Sequence, residues 1–151
     1  MSGKKFRFSL ESVLRLRKHE TETARQDLAL IRKQVHEQEA HVSDTERYLK
    51  EVISSRTTGA TGRHHLSRYE AYRREAQHHL DEARKRLARL KDLEHEARIA
   101  VMEKKGAEEA MEQLKEQERD KHWREHLAAE TRILDDQAIS SYQKHRMAAN
   151  S

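Results

Sequence analysis

The sequence predicts an all-α fold, a long antiparallel two-helix coiled-coil hairpin with an overhanging C-terminal helix. Three observations carry that prediction. The 151 residues are 38% charged and 34% hydrophobic, with no proline and only four glycines. Globular domains draw about 45–50% of their residues from the apolar set, so a single compact core is undersupplied, while long helices meet few breakers. Apolar residues also recur in alternating steps of four and three along two separate stretches, the pattern of a helix that buries one narrow stripe on another. Between the stretches lies SSRTTGATG at 54–62, where small hydroxyl residues and glycines favour a turn. Disorder is the other outcome of low hydrophobicity, but disordered chains are rich in proline and strongly charged overall, and this one has no proline and a net charge of +4.

The first stripe runs Leu10, Leu14, Arg17, Thr21, Ala24, Leu28, Ile31, Val35, Gln38, Val42, Thr45, Leu49, Val52, with nine of its 13 positions apolar. Ser9 stands where an N-cap belongs, its hydroxyl able to accept from the first free amides. After the turn, Leu66, Ser67 and Glu70 read as a capping box, with Leu66 and Ala71 as its hydrophobic staple. A second stripe extends from Leu66 and Tyr69 through Arg73, Ala76, Leu80, Ala83, Leu87, Leu90, Glu94, Ala97, Val101, Lys104 and Glu108 to Met111, ten of 14 apolar. A short turn leaves the second helix no nearer surface than the first, so the chain reads as a single hairpin domain over 1–151, with helices at about 9–55 and 66–146 and a turn at 56–65.

If Ser55 and Leu66 flank the turn, residue i faces residue 121 minus i, and Leu10 meets the neighbourhood of Met111. Everything beyond overhangs. At about 1.5 Å per residue the first helix is about 70 Å long and the second about 120 Å. Gly106 costs the second helix about 1 kcal/mol relative to alanine. Residues 115–122 (KEQERDKH) hold no apolar side chain, and Trp123, Leu127, Leu134 and Ala138 then resume in another frame. An unpaired helix of this composition is marginal in water, so a partner protein is expected to complete it.

Charge and composition exclude several kinds of function. The absence of cysteine rules out disulfide frameworks, cysteinyl zinc sites and thiol catalysis. The opening MSGKKFRFSLESVL has no signal-peptide core, and no window approaches the roughly 20 apolar residues of a membrane helix, so a soluble, cytoplasmic protein without membrane insertion is expected. The basicity belongs to one end: residues 1–18 hold six Lys/Arg against Glu11, a net of +5, so the other 133 residues net −1. Within the second helix, Arg84, Lys85, Arg86, Arg89 and Lys91 are bracketed by Asp81, Glu82, Asp92, Glu94 and Glu96, a solvated flank rather than a phosphate-binding face, so nucleic acid is not an expected partner. His122, Glu125 and His126 spell the H-x-x-E-H of inverted zinc peptidases, but a two-helix rod supplies neither a third ligand nor a water-excluding cleft, and no metal or cofactor is expected. No glycine-rich phosphate loop and no pocket for a nucleophile can be drawn, which argues against an enzyme. Phe6 and Phe8 stand out, two aromatics before the first helix that either serve a partner or pack on the base of the overhang near 112–116.

The opening K-F-R-F-S-L-E-S-V-L-R-L-R resembles the start of the FliJ family, the coiled-coil component of the bacterial flagellar type III export apparatus. The resemblance continues through the turn near residue 60, the segment LSRYEAYRREAQHHLD at 66–81, the charged stretch 97–119, and the ending ETRILDDQA at 130–138, where the family commonly shows E-x-x-x-[ML]-D-E-x-A and Asp136 here replaces the glutamate. It implies a nonenzymatic stalk, similar to the antiparallel coiled coil of the rotary ATPase gamma subunit. Such a stalk binds the hexameric export ATPase FliI, promotes its assembly and activity, contacts the export gate protein FlhA and escorts export chaperones. It would work at the cytoplasmic side of the inner membrane, at the flagellar base.

The positions of the unusual residues divide the labour. Phe6, Phe8, Arg15, Arg17 and Lys18, with Trp123, Leu127, Leu134, Asp135 and Asp136 of the overhang, gather at the termini end and are expected to engage the ATPase. Tyr48, Tyr69 and Tyr72 gather beside the turn, the region by which the family contacts the gate, and Tyr72 matches an aromatic position of the family. Tyr69 also lies on the second stripe, where packing alone would account for it. An injectisome stalk of the same architecture and a generic coiled-coil adaptor are the rival readings. The adaptor would self-associate through its stripes, whereas a completed hairpin is expected to be largely monomeric.

Overall fold

A computed structural model describes residues 4–56 and 62–151. Two helices account for almost all of them: α1, Glu11–Ser55, and α2, Arg63–Ala149. The turn expected at 56–65 falls for the most part on 57–61, outside the described residues. α1 contains neither glycine nor proline, and α2 contains one glycine, so nothing in either interior interrupts the backbone ladder. Among the described residues there is no strand, and the two helices pack on each other as an all-α hairpin.

The helix starts differ from the sequence reading. Leu10 holds the cap position of α1: its carbonyl accepts from Leu14 N at 2.9 Å, while Glu11 N donates to the Phe8 carbonyl at 3.2 Å. The turn closed on Phe8 places the first helical carbonyl one residue later than Ser9. As a cap residue Leu10 is 38% exposed, and the buried stripe begins at Leu14 instead. α2 likewise starts before Ser67. Gly62 offers its carbonyl to Leu66 N at 3.0 Å, Ser67 lies inside the helix, and Glu70 is occupied by the Arg73 guanidinium at 3.1 Å. Glycine serves as an N-cap because it adopts the non-helical backbone without strain.

By packing, the chain divides into two units, His19–Lys105 and Met1–Lys18 with Gly106–Ser151. In the first, the stripe positions of both helices face each other. Leu28, Val35, Gln38 and Thr45 of α1 and Tyr69, Ala76, Leu80 and Ala83 of α2 are buried. Alanines opposite larger side chains let the backbones approach closely. The polar members of the stripe are satisfied: Gln38 Nε2 donates to the Ala83 carbonyl at 3.0 Å, and Thr45 Oγ1 donates to the His41 carbonyl at 2.7 Å. Ion pairs lace the flanks, Arg84–Glu46 at 2.9 Å, Arg32–Glu94 at 3.5 Å, Lys91–Glu39 at 3.7 Å and Lys104–Glu20 at 3.7 Å. Exposed pairs of this kind are each worth about 0–1 kcal/mol, so burial of the stripe carries the stability and the pairs report the alignment.

That alignment is offset from the simple expectation. The residue numbers of these pairs add to between 124 and 130 rather than 121. The reason lies at the turn: Arg56, just past α1, sits over the Tyr69 ring at 5.6 Å. The first turn and a half of α2 therefore extends past the end of α1.

In the second unit the N-terminal residues lie along α2 with a similar offset. Lys115 pairs with Glu11 at 2.8 Å and Lys18 with Glu112 at 3.6 Å. Leu14 and Phe8 are buried at 2% and 7% exposure. Lys115, Glu118, His122 and His126 of α2 are half-buried, so the packed face continues through polar residues, while every residue from Leu127 onward is exposed.

Candidate functional site

Two surfaces collect the residues that the sequence singles out. In the unit formed by Met1–Lys18 and Gly106–Ser151, the segment before α1 docks on one turn of α2. The Phe6 ring lies 5.7 Å from the His122 ring, and His122 Nε2 donates to the Lys4 carbonyl at 3.1 Å. Lys4, Lys5, Phe6, His122, Trp123 and His126 line a cavity of about 230 Å³. Trp123 meets His126 edge-on at 5.9 Å and is itself 56% exposed. Phe6 thus reaches further along α2 than 112–116, as the offset requires.

The members of this surface play unequal parts. Phe8 is buried and holds the segment down; Phe6 is half-buried. Arg15 is exposed, Arg17 is half-buried on the packed stripe, and Lys18 is tied to Glu112. Trp123, Leu127 and Leu134 are 56%, 57% and 64% exposed, and Asp135 and Asp136 are exposed beside them. Trp123, Leu127, Leu134 and Ala138 share one helix face at steps of four and seven, an apolar stripe in water.

The second surface lies in the unit His19–Lys105. Tyr48, Tyr69 and Tyr72 line one groove of about 350 Å³ with Val52, Ser55, His65 and Arg68. Tyr48 and Tyr72 are 50% and 56% exposed, whereas Tyr69 is 6% exposed and lies under Arg56. Tyr69 therefore packs the stripe and forms the floor of the groove, and the other two tyrosines form its walls. Sequence reasoning missed His65 and Arg68, which their spacing of four from Tyr69 and Tyr72 would have placed on the same face.

Among the described residues no three His, Asp or Glu side chains converge as metal ligands. His122 is engaged by the Lys4 carbonyl, and His126 Nε2 lies 3.2 Å from Glu130. The Glu11 carboxyl is held below the ordinary glutamate range, chiefly by its hydrogen bond to Lys115; desolvation opposes the shift, and the charges of Lys115, Arg15 and Lys18 add to it. None of this arranges a nucleophile with a base. No described helix is long and apolar enough to cross a membrane.

The chain is thus a helical hairpin with an exposed apolar stripe on one unit and an aromatic groove on the other. The family model described as Flagellar FliJ protein matches residues 6–147. The chain belongs to the FliJ family, noncatalytic components of flagellar type III export. No curated protein and no solved structure matches it significantly.

Proposed function

We propose that this chain is the stalk of the flagellar export ATPase, a nonenzymatic protein that binds the hexameric ATPase FliI, promotes its assembly and activity, and links it to the export gate FlhA and to export chaperones. The observation that carries this reading is the unpartnered stripe of Trp123, Leu127 and Leu134 on a chain that belongs to the FliJ family over 6–147. Apolar side chains in water favour a partner that covers them, at about 25 cal/mol per Å² buried. The exposed charges of Arg15 on α1 and of Asp135 and Asp136 beside Leu134 set orientation. Phe6 and Phe8 order the segment that completes the docking face. Tyr48 and Tyr72, with Tyr69 beneath them, serve the gate. The protein works in the cytoplasm, peripheral to the inner membrane at the flagellar base.

The test is titration of the purified chain into the export ATPase of the same organism, with hydrolysis rate and hexamer fraction recorded together. Both rise with the native chain. Leu127→Ser with Leu134→Ser, at positions exposed in the free protein, leaves helicity intact and removes the stimulation, and Arg15→Glu weakens it. No stimulation by the native chain would reject the stalk reading. Tyr48→Ala and Tyr72→Ala reduce capture of the gate protein while sparing the ATPase.

A further inference from the structure

A third surface uses none of the residues assigned to the ATPase or to the gate. Within the unit His19–Lys105 a groove of about 660 Å³ runs between α1 and α2. It opens where the stripe thins: Ala24 of α1 and Ala97 of α2 are stripe positions too short to fill the space between the helices, and Ala100 stands beside them. Ile31 and Leu93 wall it, Leu93 with 47% of its surface in water. Leu93, Ala97, Ala100 and Lys104 follow one another at steps of four, three and four, so the lining covers about three helical turns, about 17 Å. Two antiparallel helices with small residues along a shared edge offer the seat that a third helix takes in helix-in-groove recognition.

The rim says what kind of helix fits. Lys104 is spent on Glu20 at 3.7 Å. Asp27 and Glu96, on opposite helices, are exposed and carry no ion pair among the described residues. On a chain of net charge +4 this groove is therefore acidic. We propose that it docks an amphipathic helix of a partner protein, about 12 residues long, whose apolar stripe is flanked by Lys or Arg. A second copy of this chain is a poorer occupant. Its own exposed stripe is accompanied over residues 123–139 by Arg124 and Arg132 against Glu125, Glu130, Asp135 and Asp136, so acid would meet acid.

The experiment uses the full chain and two fluorescein-labelled helical peptides of the same leucine/alanine stripe, one flanked by lysines and its twin by glutamates, read by anisotropy at low and high salt. The lysine peptide binds about tenfold or more tighter than its twin, and salt narrows the gap. Asp27→Lys with Glu96→Lys, both at exposed positions, reverses the order, and Leu93→Ser weakens the lysine peptide about tenfold. Circular dichroism checks that the variants keep native helicity; should the double variant lose it, Leu93→Ser and the salt dependence decide alone. Absence of binding, equal affinity for the two peptides, or an order that survives charge reversal overturns the proposal. So does a dimer of the chain, seen by sedimentation, that Leu93→Ser abolishes, since that assigns the groove to a second copy.

Discussion

Gln38 donates its side-chain amide to the main-chain carbonyl of Ala83 at 3.0 Å, across the packed stripe and with both residues buried. The bond ties a polar side chain of α1 to one level of α2. A buried polar residue in a coiled coil costs stability and specifies register. Gln38→Leu is expected to hold or raise the melting temperature while admitting other alignments. Because the native chain has no cysteine, cysteines placed at 39 and 91, where Lys91 meets Glu39 at 3.7 Å, against pairs shifted by one heptad, read the alignment directly. The native chain cross-links only the first pair, and Gln38→Leu gives both.

The apolar stripe and the exposed tail differ sharply in what a truncation costs. Leu14→Ala, at a position 2% exposed, is expected to destabilise by about 2–4 kcal/mol. Leu134→Ala, at 64% exposure, is expected to change stability by less than about 0.5 kcal/mol. Urea titration followed by circular dichroism separates the two, and equal costs would mean that residues past Leu127 are packed in the free protein.

Gly106 lies inside α2, and a Cβ built on it meets nothing within 4 Å. Gly106→Ala should therefore stabilise α2 by about 0.5–1 kcal/mol, through helix propensity and a less flexible unfolded chain. A rise in melting temperature at unchanged denaturant slope is the expected result.

Glu11 contributes to stability with a definite sign in pH. Its carboxyl titrates below the ordinary glutamate range because Lys115 donates to the ionised form. The contribution is present above the unfolded-state value and is lost as pH falls through the folded one. Lys115→Met should return the Glu11 titration, followed by NMR, toward the ordinary range and flatten the acid dependence of the melting temperature. An unchanged Glu11 titration in that variant would show that the pair does not hold in solution.

The segment before α1 rests on His122 through the Phe6 ring and the Lys4 carbonyl, with Phe8 buried just behind. His122→Ala should release residues before Phe8 without unfolding α1. Trypsin would then cut after Lys4, Lys5 and Arg7 roughly three to ten times faster at unchanged helicity, as expected for local opening.

The stripes were legible because a helix that buries one face repeats its apolar residues at a fixed period. Every stripe position from Leu14 to Val52 is buried or half-buried. The exposed apolar stripe was legible too, as Trp123, Leu127 and Leu134 leaving that frame. The helix starts at Leu10 and Gly62 were not, since backbone geometry overrode the better cap chemistry of Ser9 and Ser67. Nor was the offset between the helices, because it depends on how far α2 runs past Arg56 before Tyr69 meets it.

Periodicity and composition therefore settle which residues turn inward and that two helices must meet, since both are local properties of a repeating chain. The packing of one helix on the other settles the rest. It decides that Phe6 reaches His122, that Tyr69 is a floor while Tyr48 and Tyr72 are walls, and that facing alanines leave an acidic groove. Those depend on the relative level of the two helices, a distance in space that no spacing along either helix encodes.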